Sequence, residues 1–465
     1  MMRPRQARRI ALQALAAALV WNLIVLFFLP ADSRILLFFR FTTHRVLSLL
    51  PTPYTNEDWF FEPPRFPIDW GNDVAFILKT GYGTKARLPA QLDAFGMKLA
   101  GARDEAVLVV GDFSSHHQTD GQDFQVRDML AAAMENEALA SFQDAKRIRV
   151  YREMTEAIKA GKDGPALEIG KKFGWELDAM KFIPAMELAW RTLPRRKWYL
   201  MLDDDTYIIR PSLQLLLGHM DSSRPIYLGN AVGDYKGRFA HGGSGIAISE
   251  AAMRRLFDER PDAVRAAYLD SLTETWGDRL VAHTLMKVGV YLEERYKHLF
   301  NGERPRATRI RADRFCAPLI SFHALAQPPQ MLEVGKTFRN VAEPVLWSEL
   351  WGIYRQPDLN VFGELEVREG EDHVGPPHDE NMIIKKNVGS AERCLGYCIK
   401  STGCLAWRWE QEAKTCYLAP WFIIGERDKG AVKREGVSSG INVRRIRSLQ
   451  EGCEARGVQQ QSGDA

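Results

Sequence analysis

An apolar run, Tyr199-Leu200-Met201-Leu202, leads straight into Asp203-Asp204-Asp205 and then Thr206-Tyr207. Three adjacent carboxylates repel one another unless a cation or hydrogen-bond donors compensate. Alternate residues of an extended chain face the same way, so Asp203 and Asp205 share a side. A D-x-D pair of this kind suits a hard divalent cation held by oxygen, with positions left open for phosphate oxygens. The plain alternative is an acidic turn that caps the next element. Three later features follow in order. His241-Gly242-Gly243-Ser244-Gly245 is a glycine-rich turn where backbone can approach a ligand closely, or an ordinary loop. Trp276-Gly277-Asp278 opens a helix-like stretch, in which Asp278 reads as an N-cap. Ile320-Ser321-Phe322-His323 places a histidine after an apolar run. Alone it reads as structural; with an acidic turn elsewhere it becomes a candidate metal ligand.

Two other patterns invite chemistry. Gly81-Tyr82-Gly83-Thr84-Lys85-Ala86 fits the dinucleotide fingerprint after a strand. Lys79 and Thr80 separate the strand from its first glycine, however, and Pro89 falls early in the helix that should follow. Cys394, Cys398, Cys404 and Cys416 form a compact group. Zinc ligands come as closely spaced pairs and the second pair here is widely split, so disulfides are favoured, with the pairing open. Cys316 and Cys453 stand apart, with no partner indicated.

The elements that must position these residues come next. Val74–Leu78, Ala106–Val110, Trp198–Leu202 and Ile226–Leu228 read as short strands, with helix-like stretches such as Ala131–Ala145 and Asp178–Arg191 between them. Strands alternating with helices predict a mostly parallel sheet covered on both faces, with ligands outside the carboxyl ends of its strands. Residues 31–70 carry five prolines between positions 51 and 67 and read as a stem. Ile10 to Leu29 is apolar except for Gln13 and Asn22, and follows Arg3, Arg5, Arg8 and Arg9. That length and charge order predict a single transmembrane signal anchor, with residues 1–9 cytosolic and the body lumenal, where disulfides persist. No N-x-[ST] sequon occurs.

With 465 residues, 46% of them hydrophobic, the chain builds real cores and spans two or three domains. The net charge is +3, and the four N-terminal arginines leave −1 for the rest, which argues against a nucleic-acid partner.

The order Lys197-Trp198-Tyr199-x-x-x-Asp203-Asp204-Asp205-Thr206-Tyr207, Gly242-Gly243-Ser244-Gly245, Gly277-Asp278 and Ser321-Phe322-His323 resembles glycosyltransferase family 31, which includes Fringe and the core 1 β1,3-galactosyltransferase. Gly174-Trp175-Glu176-Leu177-Asp178-x-x-Lys181-Phe182 is similar to its fungal branch. The resemblance implies an α/β fold of GT-A type over residues 71–330. It implies an inverting, metal-dependent transfer from a UDP-sugar to a glycan or glycoprotein acceptor, with galactose and a β1,3 bond as the family's example. Asp203, Asp205 and His323 would hold Mn²⁺ or Mg²⁺. Thr80, Gly81, Asp112, Lys181, Asp203, Asp204, Gly242 and Gly243 would face the donor, and Asp278 would be the catalytic base. The family often has Glu-Asp where this chain has Gly277-Asp278. A non-catalytic lumenal carbohydrate- or protein-binding protein that keeps the fold is the alternative. Residues 366–448 resemble a small α+β PAN/apple domain, which implies the pairings Cys394–Cys416 and Cys398–Cys404. Residues 331–365 would be a linker and 449–465 a tail. The whole resembles a Golgi type II membrane protein.

Overall fold

The computed structural model describes residues 29–47, 58–96, 106–119, 122–193, 196–354, 357–377, 381–425 and 434–461, with scattered positions between 13 and 21. Its first ten strands are β1 (Val74–Lys79), β2 (Val107–Gly111), β3 (Ser115–Thr119), β4 (Gln122–Asp128), β5 (Trp198–Asp203), β6 (Tyr207–Ile208), β7 (Tyr227–Gly229), β8 (Ala231–Val232), β9 (Phe239–Ala240) and β10 (Ile246–Ser249). Seven of them form one sheet in the order β3-β4-β2-β1-β5-β10-β7. The pairs β2–β4, β1–β2 and β1–β5 are parallel, whereas β3–β4, β5–β10 and β10–β7 are antiparallel. The sheet is therefore mixed, and this α/β arrangement fits the GT-A type. Every residue of β1 is buried, as expected of a strand covered by helices on both faces.

Register decides where the chemistry falls. Lys79 lies opposite Asp203 on one side and Val110 on the other. The carboxyl ends of β1, β2 and β5 thus finish together, and the residues that leave them (Thr80, Asp112 and Asp204) meet at one edge. Farther on come β11 (Ile310–Arg311) and β12 (Ser321–Phe322). Strand β12 pairs antiparallel with β6, Phe322 opposite Tyr207, so His323 is carried back beside the acidic turn.

Helices depart from their expected spans where polar residues interrupt them. The stretch 131–145 breaks into Met129–Met134 and a 3₁₀ turn, Glu137–Phe142, because Asn136 caps the second by accepting from the Ala138 amide. The stretch 178–191 breaks between Gly174–Ala179 and Phe182–Thr192. Lys181 falls at that break and is buried.

Past residue 330 the chain stays in the core. The helix Pro328–Phe338 lies on the helix Arg87–Phe95, with Gly335 against Ala94, and Trp347 and Trp351 are buried. Burying a large apolar side chain contributes about 2–3 kcal/mol. A second sheet, β13 (Arg368–Glu369), β14 (Ile383–Lys385), β15 (Ala406–Glu410), β16 (Thr415–Ala419) and β18 (Val437–Ile441), runs antiparallel in the order β13-β18-β15-β16-β14. The helix Ala391–Lys400 covers it, and Cys394 is bonded to Cys416 and Cys398 to Cys404. Strand β17 (Trp421–Phe422) pairs with β11 of the larger body. Cys316 is bonded to Cys453, in the helix Val443–Gln461.

The N-terminal part of the expected architecture is corrected. Among the described residues no helix is long and apolar enough to cross a membrane. Most of residues 10–29 lie outside the described residues. The next helix, Arg34–Leu47, has 14 residues and carries Arg34, Arg40 and Arg45, too short and too charged to span. It docks on the body instead: Phe38 meets Tyr235 edge-on at 5.4 Å, and the Arg40 guanidinium lies 3.8 Å from the Tyr291 ring centre.

Candidate active site

The sheet edge is floored by two buried lysines. Lys79 pairs with Asp203 at 2.8 Å and Asp178 at 2.7 Å. Lys181 pairs with Asp178 at 3.1 Å and Asp112 at 3.4 Å, and donates to the Thr80 carbonyl at 2.7 Å. Burial lowers the pKa of both ammonium groups, but the carboxylates outweigh it and leave both raised. Asp112 is itself buried, and its other oxygen accepts from the Tyr82 amide at 2.7 Å. The break before Phe182 is what turns Lys181 into this position.

The three aspartates of the turn separate by environment. Asp204 is buried and accepts from the hydroxyls of Thr80 at 2.7 Å and Thr84 at 2.5 Å, with Arg87 at 3.3 Å. Burial and the Asp205 charge push its pKa up to about 6. It ties the ends of β1 and β5 together. Asp205 shares Arg87 with Asp204, at 3.1 Å, and meets His323 Nε2 at 3.2 Å. Burial works to raise its pKa, but the hydrogen bond and charge of His323 and the charge of Arg87 leave it lowered. His323 moves oppositely: burial lowers its pKa, and Asp205 more than restores it. One oxygen each of Asp203 and Asp205 and one ring nitrogen of His323 lie within 4.8 Å of one another. This carboxylate–carboxylate–imidazole set has the spacing and chemistry to hold a divalent cation.

Gly242 and Gly243 form the opposite wall. A Cβ on Gly243 would fall inside the His323 imidazole, so only glycine lets that ring sit there. Thr206 donates to the Gly243 carbonyl at 2.8 Å and fixes the turn to β6. The N-cap of the helix Gly277–Lys287 is Trp276, not Asp278. The Asp278 carboxylate instead accepts from the Gly242 amide at 2.8 Å and the Arg279 amide at 2.8 Å. Burial, and secondarily the Asp203 charge, push its pKa up to about 6 despite those donors. Gly277 leaves room for the Phe182 ring, which any side chain there would strike. That contact requires glycine at this position.

Lys79, Lys181, Asp112, Asp178, the acidic turn, Gly242, Gly243, Asp278 and His323 line one cleft of about 730 Å³. Trp175 and Trp276 also line it and are 73% and 40% exposed, which leaves two indole faces for a sugar or base to stack on. The dinucleotide pattern at Gly81 and Gly83 has another cause: a Cβ on Gly83 would strike the Gly170 backbone, so this glycine serves the close approach of two chain segments. Gly81 lines the cleft beside Asp112 and Lys181. Sequence reasoning missed Lys79, Asp178 and Arg87. Lys79 carried a signal, since a lysine closing a buried strand requires carboxylate partners; Arg87 carried none.

Residues 176–351 match the Fringe-like family model. Over 95 residues the chain is 33% identical to chondroitin sulfate glucuronyltransferase of Homo sapiens, an alignment covering 19% of this chain and 12% of that protein. Over 99 residues it is 31% identical to glycoprotein-N-acetylgalactosamine 3-beta-galactosyltransferase 1 of Xenopus laevis, covering 21% of this chain and 28% of that protein. The chain spans 12% and 28% of these relatives' lengths. The Fringe-like match includes Lys181, the acidic turn, Gly242, Gly243, Asp278 and His323, while β1 and β2 precede it.

Proposed function

We propose that the chain is an inverting glycosyltransferase that moves a sugar from a UDP-sugar to a glycan or glycoprotein acceptor. The observation that carries the reading is the convergence, in one cleft, of a cation-binding triad with a separate, half-buried carboxylate of raised pKa. Asp203, Asp205 and His323 would hold the cation. Their mixed oxygen and nitrogen donors favour Mn²⁺ over Mg²⁺, which prefers oxygen alone. Bound there, such a cation offsets charge on the departing diphosphate. Thr80, Gly81, Asp112 and Lys181, at the ends of β1 and β2, would form the nucleotide side, and Gly242 and Gly243 would lie along the donor sugar.

Asp278 is the base. With a pKa of about 6 it is ionised at neutral pH yet basic enough to accept a proton from an attacking hydroxyl. The Gly242 and Arg279 amides hold its orientation. The acceptor oxygen bonds to the anomeric carbon as the bond to the UDP oxygen breaks, and its proton passes to Asp278. One displacement inverts the carbon. Galactose and a β1,3 linkage are the first choice, because the relative better covered by the alignment is a 3-β-galactosyltransferase; glucuronic acid and N-acetylglucosamine follow. The sheet β13–β18 with its two disulfides is read as the PAN/apple-like module, and three disulfides suit work in the Golgi lumen.

Calorimetric titration of UDP with and without Mn²⁺, followed by slow hydrolysis of a UDP-sugar panel, tests this. Manganese-dependent binding and one preferred sugar support the proposal. Absence of UDP binding under both conditions sinks it in favour of a non-catalytic binding protein.

A further inference from the structure

Between the cation triad and the Asp278 carboxylate runs the segment His241-Gly242-Gly243, which carries a single side chain. Gly243 packs against the His323 ring, and the Gly242 amide donates to Asp278 at 2.8 Å. In one displacement the leaving diphosphate lies at the first of these ends and the attacking hydroxyl at the second. The transferred sugar therefore lies along this segment, and the side chain that the segment offers it is His241. We infer that His241 Nε2 donates a hydrogen bond to a hydroxyl of the transferred sugar and so helps to select the donor. The inference rests on the transferase reading and names a residue that sets its donor specificity.

Hydrogen bonding fixes both the ring and its proton. The His241 amide donates to the Asn230 carbonyl at 2.8 Å, and the His241 carbonyl accepts from the Ser244 amide at 3.0 Å. Nδ1 lies 2.9 Å from Ser244 Oγ, which accepts from Asn230 Nδ2 at 3.2 Å. Ser244 is fully buried, and Nδ1 is the one acceptor for its hydroxyl proton among the described residues. A buried hydroxyl left without an acceptor is costly, so Oγ–H donates to Nδ1. The proton of the neutral ring is then on Nε2, and charging the ring would leave that N–H in place.

The other edge of the ring is left for a ligand. Nε2 has no hydrogen-bond partner among the described residues, and unlike His283 Nε2 it is not sealed from solvent. His241 lines the same cleft as Asp278, His323 and both exposed tryptophans. Its ring stands edge-on to His323 at 5.0 Å, yet the cation group consists of Asp203, Asp205 and His323 without it. That leaves His241 a fixed donor beside the cation site, not a member of it. A site built to hydrogen-bond a hydroxyl disfavours a sugar that lacks one there, because the donor is then left unpaired.

The test uses the full chain, the UDP-sugar it prefers, and analogues in which one sugar hydroxyl at a time is replaced by hydrogen. With the native protein one analogue should lose about tenfold in kcat/KM and the others less. His241→Ala should cost the parent sugar a similar factor, and that analogue should then lose nothing further. His241→Gln, whose side-chain amide also donates, should retain most of the parent rate. Ser244→Ala, which lets the ring proton move to Nδ1, should fall between the two. UDP itself carries no sugar, so its Mn²⁺-dependent affinity should stay within twofold in all three variants. A native protein indifferent to the loss of every hydroxyl overturns the inference without recourse to any variant. Additive losses in His241→Ala overturn it too, as does an equal loss of UDP affinity, which would make His241 a nucleotide or cation ligand. Absence of UDP binding by the native protein, with or without Mn²⁺, is the separate result that sinks the transferase reading and this inference with it.

Discussion

Replacing Gly243 by alanine probes the cation site without touching a ligand. The backbone there has no left-handed φ, so alanine is conformationally acceptable, and the effect is purely steric. The new methyl would overlap the His323 ring at Nε2, and normal carbon contact requires the imidazole to retreat by about 1 Å or more. Its anchors are the 3.2 Å contact to Asp205 and the 3.4 Å contact to the Gly302 carbonyl, and neither survives such a shift. Gly243→Ala should therefore weaken Mn²⁺-dependent UDP binding by roughly 10- to 100-fold, the range seen when a metal ligand loses its orientation. Gly242→Ala is the control, because its Cβ would meet Asp278 at an ordinary 3.4 Å. The assay is UDP calorimetry across a Mn²⁺ series for wild type, Gly243→Ala, His323→Ala and the double variant. In the His323→Ala background the methyl has space, so the second substitution should cost nothing further, a strong non-additivity. Wild-type Mn²⁺ affinity in Gly243→Ala, or additive losses in the double variant, would refute the reasoning.

Asp278→Asn should lower transfer by roughly 10²- to 10⁴-fold while UDP and Mn²⁺ affinities stay within a few-fold, as read by steady-state kinetics beside calorimetry. Because Asp278 must be ionised to act, kcat/KM should fall on the acid side with a midpoint near pH 6; a midpoint near pH 4 would contradict the burial argument. The same raised pKa means the native protein binds this proton more tightly than the unfolded chain, so stability from Asp278 is present at low pH and lost as pH rises through about 6. Asp278→Asn should then raise the melting temperature at pH 7.5, with the gain shrinking as pH falls from 6 towards 4. Cys453→Ser opens a loop of 137 residues and should destabilise the fold by up to about 4–5 kcal/mol, measured by denaturant unfolding under oxidising conditions.

Much of the site could be read from the chain because its pieces sit where apolar strands stop. Tyr199 to Leu202 is a strand by composition, and its end fixes where Asp203 points. The same holds for Phe322 before His323. Other parts are products of tertiary contact. Asp278 reads as a helix cap on its own; its carboxylate turns to Gly242 because a chain segment 36 residues earlier offers an amide. Asp112 and Asp204 are expected to face the donor, and their burial under Lys181, Thr80 and Thr84 is a tertiary effect that the sequence does not carry. The antiparallel β10 and β7 look like any other short strands, since periodicity carries no direction. Residues 331–365 read as a linker because their tryptophans lack a helical or strand period, although Trp347 and Trp351 are anchored in the core. The bond between Cys316 and Cys453 joins residues too distant for spacing to pair.

That bond makes a covalent ring of everything from residue 316 to residue 453, including the whole of the second sheet. A single peptide cleavage anywhere inside the ring opens it without parting the molecule, and the two smaller disulfides lie within it. A nicked protein would migrate intact on a non-reducing gel and fall into two pieces only after reduction. Proteolytic wear in that stretch of the chain is thus silent until the redox environment changes, and Trp421, which stacks against Arg309 and Arg311, stays tethered to the larger body.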